Sequence, residues 1–347
     1  MASRAEALYH QITGRKYTVL FLLAAIAVLV LLADIAVGPA WLSPGEVLAA
    51  IFRLDSVEPT THVIVWNLRL PIALMAVVVG ASLAIAGAEM QTILDNPLAS
   101  PYTLGVSAAA GFGAALALVL GVGIIPYGGQ FIVAINAFLF SMLASLLVHF
   151  IAKAGRLSAE SMVLAGIAIL FLFQSALASL QYLASQEALQ AVVFWLFGNL
   201  QKTTWLKLGI AGAILMVALP VLAKDAWKLT ALRLGDEKAK SLGINVERLR
   251  LKVFLWVSIL TGVAVCFVGT IGFIGLAGPH IARMLVGEDQ RFFLIASALS
   301  GAVLLSAASV VSKLVIPGAI FPIGIVTSFI GVPMLFYLIL RKKRGYW

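Results

Sequence analysis

Apolar residues run along this chain in long unbroken stretches with short polar punctuation between them. The first, at about 17–37, contains TVLFLLAAIAVLVLLA, and a bilayer core needs about 20 apolar residues in a helix to cross it. Ten such segments can be marked, at about 17–37, 70–90, 102–122, 129–151, 160–183, 205–223, 250–267, 271–286, 292–312 and 323–340. A shorter piece at 186–197 is amphipathic. The period-two alternation of a membrane β-barrel does not appear in these runs. The pattern predicts an all-α polytopic membrane protein of about ten transmembrane helices, forming a single transmembrane domain over residues 1–347.

Three interruptions stand out. Residues 224–249 form the only long charged loop, KDAWKLTALRLGDEKAKSLGINVERLR with its flanks. Gly235, Asp236 and Glu237 read as a helix start with acids in the first turn. Ala239 and Leu242 supply one apolar face, and Gly243 ends the helix as a C′ glycine. A short amphipathic helix in a polar loop is either a solvated connector or a docking surface. The second interruption, LDNPLASPYTLG at 94–105, predicts a tight, stiff turn, because Asn96 precedes Pro97. Ser100 and Pro101 there suit the N-cap and first position of the next helix. In the third, GTIGFIGLAGP at 269–279, glycine recurs every third residue, which predicts close helix packing or a deliberate helix break. Gly80, Ala84, Gly87, Gly111 and Gly113 predict further close approaches.

Composition agrees with the hydropathy pattern and removes whole classes of function. Of 347 residues, 62% are hydrophobic and 11% charged, with a mean hydropathy of +1.06; a soluble domain is about 25% charged. Soluble enzymes and secreted disulfide scaffolds are thereby excluded. The net charge of +9 reads as membrane topology rather than nucleic-acid binding, because Lys and Arg cluster at span ends. With the N-terminus inside, 19 of the 24 basic residues fall on the cytoplasmic side, including Arg341, Lys342, Lys343 and Arg344 after the last span. That bias favours an even number of spans with both termini cytoplasmic. The opening apolar stretch is too long for a signal-peptide core and lacks a cleavage site. The lone Cys266 forms no internal disulfide.

Chemistry is sparse. Asp34 and Glu89 lie near span ends, as do His149 and His280, and none is a midplane carboxylate of the kind an ion-coupled carrier needs. There is no zinc motif, nucleophile elbow or phosphate-binding loop, so any ATP hydrolysis belongs to another chain. No bound cofactor or metal is expected. An ATP-driven transporter subunit and an ion-coupled secondary carrier remain the two readings, and an intramembrane enzyme lacks a catalytic set.

Six segments, in order, carry a resemblance over about residues 20–340: RLP at 69–71, GASLAIAGAEMQTILDNPLASPYTLGVSAAAGFGA at 80–114, FWLFGNL at 194–200, LGDEKAKSLGI at 234–244, GFIGLAGPHIARMLVGEDQR at 272–291 and FPIGIVTSFIGVPMLFYLIL at 321–340. The chain resembles the permease subunits of bacterial ABC importers for iron-siderophore complexes, haem and cobalamin, the type II importers. The resemblance implies a cytoplasmic-membrane permease, working as a homodimer or paired with a related permease. Two separate ATPase subunits would use ATP, and a periplasmic or lipoprotein substrate-binding protein would deliver the cargo, a ferric siderophore first, with haem and cobalamin open. It further implies a cytoplasmic gate at Asn96, Pro97 and Leu98. ATPase coupling falls on Gly235, Asp236, Glu237, Ala239, Leu242 and Gly243, and binding-protein docking on Arg69 and Lys313. Three positions depart from the family pattern: Ile72 stands where a second Arg is frequent, Ser309 where an Asp is common, and Phe321 where an acid often precedes Pro-Ile-Gly.

Overall fold

Polar residues at the ends of the apolar runs set where the helices begin. In a computed structural model, which describes residues 2–38, 41–54, 58–125, 129–154, 157–316 and 318–340, the first span is α1 (Ala2–Ala36). Two short helices, α2 (Pro44–Ile51) and α3 (Pro59–Val63), lead through a π-helical segment, Ile64–Arg69, directly into α4 (Leu70–Ile93). Then come α5 (Val106–Leu120), α6 (Ile132–Ala154), α7 (Ala159–Leu183), the amphipathic α8 (Gln186–Leu196) and α9 (Trp205–Ala223). The short α10 (Ala226–Leu232) and α11 (Asp236–Ser241) precede α12 (Val246–Val268), α13 (Ile274–Val286), α14 (Gln290–Leu314) and α15 (Ile323–Leu340). The side chains of Ser158, Ser185, Thr204, Asn245 and Asp289 each accept a backbone N–H from the helix they open, which satisfies one of the four orphan donors at a helix start. No strand occurs among the described residues. The tail basic residues Arg341, Lys342, Lys343 and Arg344 lie outside them.

Seven of the helical runs are long and apolar enough to cross a bilayer, and α5, α13 and the first part of α15 are shorter apolar helices. All ten predicted segments are therefore present. α4 is the hub, packed against α1, α9, α12, α13 and α14. Of its most apolar window 83% is buried, against 17% for α1, so α4 lies inside the bundle and α1 on its edge. Small residues permit this. A Cβ at Gly80 would stand 2.3 Å from the Gly301 carbonyl oxygen, and one at Gly87 would stand 1.7 Å from that of Gly275. At both sites α4 meets a neighbour backbone to backbone, the close approach that small residues make possible.

Three expectations change. The Ser100–Pro101 pair does not open a helix. Thr103 Oγ1 accepts the Ser100 N–H at 3.1 Å and donates to the Ser100 carbonyl at 2.7 Å, closing a turn instead. The helix begins only at Val106, after Gly105 at φ 79°. Glycine is needed there because a Cβ would meet the Leu170 backbone nitrogen of α7 at 2.7 Å. Second, the 269–279 glycines divide their roles. Gly269 (φ 75°) ends α12, and residues 269–273 break the helix, whereas Gly275 and Gly278 pack against α4. The Tyr102 hydroxyl covers the broken backbone, donating to the Ile271 carbonyl at 2.5 Å and accepting its N–H at 2.6 Å. Irregular backbone inside a membrane protein requires such substitutes. Third, the 224–249 loop holds two short helices rather than one.

Candidate functional site

The polar features of the bundle gather at its two ends. The end rich in basic residues holds the turn at 94–98, α10 and α11. In the turn, Asn96 Oδ1 accepts the Leu98 N–H at 2.9 Å and the Asn96 carbonyl accepts the Ala99 N–H at 3.0 Å. An Asn side chain closing on the backbone two residues ahead stiffens a turn, and Pro97 stiffens it further. Asn96 and Pro97 are half-buried while Leu98 is 60% exposed, so an apolar side chain projects from a rigid loop.

α11 is built as the spacing predicts at both ends. Gly235 precedes it at φ 98° and Gly243 follows it at φ 80°. Ile244 N–H donates to the Ala239 carbonyl at 3.1 Å and Gly243 N–H to Lys240 at 2.9 Å, the paired bonds of a Schellman ending. Ala239 and Leu242, three residues apart, are buried to different degrees. Ala239 is fully buried against Leu229, Leu232 and Val246. Leu242 lies on the final turn and is 56% exposed. Leu234, Leu242 and Trp227 of the loop are exposed, while Glu237 pairs with Lys240 at 2.9 Å on the surface. Asp225, before α10, is anchored by Lys228 at 2.7 Å and Lys252 at 2.5 Å. Burial alone would raise its carboxyl, but these hydrogen bonds hold it below the usual carboxylate range.

Three consecutive residues at the end of α4 are held from three other helices. Arg283 of α13 donates to the Gln91 side chain at 2.8 Å. Gln290 of α14 donates to Thr92 Oγ1 at 2.7 Å. Arg250 of α12 donates to the Ile93 carbonyl at 2.8 Å and makes a two-pronged pair with Asp236 at 2.7 and 2.8 Å. None of these three residues was marked from sequence. Their signal was available as polar side chains beside apolar runs, which a membrane protein keeps for a reason. Glu89, one turn earlier, is fully buried, and among the described residues neither of its carboxylate oxygens has a hydrogen-bond partner.

The opposite end holds Arg69 and Lys313, the two basic residues expected to meet a binding protein. Arg69 is only 8% exposed, and its Nη1 donates to the Ile35 and Ala36 carbonyls at 2.9 Å each. The Lys313 side chain is also 8% exposed and meets Asp34 Oδ1 at 2.7 Å and the Asp34 carbonyl at 2.5 Å. Both side chains close the last turn of α1, where unpaired carbonyls and the negative helix pole attract cations. Arg53 and Lys202 are the exposed basic residues described at this end. Arg53 lies over Trp66 at 4.6 Å, and Trp66 stacks beside Trp205 with ring centres 5.9 Å apart. Aromatic rings at span ends fit a membrane–water boundary.

The comparisons with known proteins agree with one another. The model of the FecCD transport family matches residues 25–341. The chain is 36% identical over 280 residues to the hemin transport system permease protein of Yersinia pestis, covering 80% of this chain and 84% of that one. It is 34% identical over 332 residues to the Fe(3+)-citrate import system permease protein of Bacillus subtilis, covering 95% and 97%. With the vitamin B12 import system permease protein of Vibrio cholerae it shares 33% over 330 residues, covering 94% and 93%. Among solved structures, one described as an inward-facing metal-chelate type ABC transporter superposes with a TM-score of 0.83 at 29% identity, covering 93% of this chain and 99% of that one.

Proposed function

The chain belongs to the FecCD transport family, and from that premise we propose that it is the membrane-spanning permease of an ATP-driven importer carrying a ferric siderophore across the cytoplasmic membrane. The observation that carries the reading is the family match over 25–341, joined to relatives named for hemin, Fe(3+)-citrate and vitamin B12. Because those cargoes differ, haem and cobalamin are the alternatives for the substrate. The cargo passes unchanged, and ATP is hydrolysed by separate subunits.

The charge bias sets the basic end, with both termini, in the cytoplasm. Two ATPase subunits dock there against α10 and α11, where Leu234 and Leu242 are exposed. A second copy of this chain completes the path, and a binding protein delivers cargo at the opposite end. Asn96, Pro97 and Leu98 form the cytoplasmic gate, and Gly235 to Gly243 the coupling segment. ATP drives the cycle because it binds one arrangement of the ATPase pair better than the other, and only such a difference moves an equilibrium.

The test is uptake into proteoliposomes holding this chain, its ATPase and its binding protein, with ferric siderophores, haem and cobalamin offered in parallel. ATP-dependent accumulation of a siderophore is the expected result. Accumulation of haem or cobalamin alone replaces the substrate assignment. Uptake driven by an ion gradient without the ATPase overturns the reading as a whole.

A further inference from the structure

We propose that Arg250 is the strut that carries motion of α11 to the gate turn, a positioning residue for transport that rests on the permease reading above. Its guanidinium sits between the two elements that have to move together. On one side, Nε donates to the carbonyl of Ile93, the last residue of α4, at 2.8 Å. On the other, Nη1 and Nη2 grip both carboxylate oxygens of Asp236, the first residue of α11, at 2.7 and 2.8 Å. Among the described residues no other side chain is hydrogen-bonded to both helices.

The chemistry suits a rigid link. A guanidinium is planar and holds its five N–H groups in fixed directions, so no rotatable bond lies between the Asp236 contact and the Ile93 contact. The Arg250 side chain is 5% exposed, and water therefore competes little for either partner. The Ile93 carbonyl is one of the orphan acceptors at a helix end, where a cation is also favoured by the helix dipole. The chain leaves Ile93 directly into Leu94, Asp95 and the stiff Asn96–Leu98 turn. Asp236 is 39% exposed on its other side, toward the face where the ATPase is placed. A push on α11 is thus delivered to the root of the turn. The neighbouring ties, Arg283 to Gln91 and Gln290 to Thr92, fasten the same stretch to α13 and α14 but do not reach α11.

The experiment compares variants in the full complex, in proteoliposomes that show ATP-dependent uptake with the wild-type chain. Uptake and ATP hydrolysis are read in the same vesicles, and the readout is cargo imported per ATP. Arg250→Lys keeps the charge but cannot hold both partners, and it lowers that ratio about tenfold. Asp236→Asn keeps the Ile93 bond, weakens the other arm, and lowers the ratio about threefold. Thr92→Val removes the tie one residue away and leaves the ratio within about twofold of wild type. A role in stability alone would lower uptake and hydrolysis together and leave the ratio unmoved. A wild-type ratio in Arg250→Lys overturns the strut, and so does an equal loss in Thr92→Val. Should Arg250→Lys fail to fold, an unchanged ratio in Asp236→Asn overturns it. If the wild-type complex takes up none of the three cargoes with ATP, the permease reading fails and the strut fails with it, an outcome distinct from active wild type with unaffected variants.

Discussion

Polar side chains tie helices together at both ends of the bundle, and the two sets of ties differ in kind. At the opposite end, Arg69 and Lys313 fasten a single target, the last turn of α1. Both cations and Asp34 are out of water, and the result is a closed seam. At the basic end, Gln91, Thr92 and Ile93 are each held from a different helix, and the Ile93 tie continues to the half-exposed Asp236 of α11. The first arrangement fixes one contact. The second joins separate elements around a turn that bears an exposed leucine. Buried cations at the two ends of the bundle thus do different work, and what decides it is whether the partner is a helix terminus already at rest or a short helix on the surface.

The largest effect expected from breaking this contrast is at the seam. Lys313→Met leaves the Asp34 carboxylate buried without its counter-charge, and removing one partner of a buried pair costs about 3–5 kcal/mol. Thermal unfolding in detergent should show that loss, and Asp34→Leu combined with Lys313→Met should recover much of it. Cargo imported per ATP should stay at the wild-type value in whatever protein remains folded. Arg69→Gln should follow with about 1.5–3 kcal/mol, the worth of hydrogen bonds to a charged group, again without change in the ratio. A fall in that ratio for either variant would show that the seam also transmits motion, and the contrast would be lost.

These residues also show what the sequence can and cannot give. The ten spans were legible because apolar length alone selects them, and the Gly235 and Gly243 boundaries of α11 because positive φ selects glycine. The glycine contacts of α4 were legible as a class, though only the fold pairs Gly87 with Gly275. The seating of Arg69 and Lys313 against the end of α1 was not legible, because a basic residue in an outer loop reads as exposed. Nothing in the local sequence shows that α1 ends 33 positions before Arg69 and beside it. Arg250 was passed over for a related reason. It stands in a charged stretch, VERLRLK, in which Glu247 and Arg248 are exposed, and its partners lie 157 and 14 residues away. The turn at Ser100–Pro101 was misread because a residue further on, Thr103, outcompeted the backbone for Ser100.

A smaller stability effect with a larger functional one is expected at Gly243. Its position is open, with nothing within 4 Å of where a Cβ would stand, but φ is 80°. Leucine there costs about 1–2 kcal/mol of backbone strain, and relieving it requires the end of α11 to shift. Gly243→Leu should leave the assembled complex intact yet import little cargo for the ATP it hydrolyses. Normal import by that variant would remove the coupling role from the segment.

The smallest effect concerns acid. Asp289 caps α14 at the basic end, and hydrogen bonds from Arg291 hold its carboxyl below the usual range, with burial opposing and Lys16, 3.9 Å away, assisting. A carboxyl whose folded pKa lies below its unfolded one binds fewer protons when folded. Its contribution to stability is therefore complete above about pH 4, near the ordinary carboxylate value, and is lost as pH falls through the lower folded value. The side chain is about a quarter exposed, so solvent and salt screen the pairs and the contribution stays under about 1 kcal/mol. Asp289→Asn preserves the cap, since Asn caps helices as well as Asp, and removes only the charge. The melting-temperature gap between wild type and this variant should be constant from about pH 7 to about pH 5 and narrow below about pH 4, more weakly at high salt. Wild type melting below the variant at about pH 7, with the difference shrinking on acidification, would mean that the charge opposes the folded state, and a gap independent of pH would mean that Asp289 serves α14 through its cap alone.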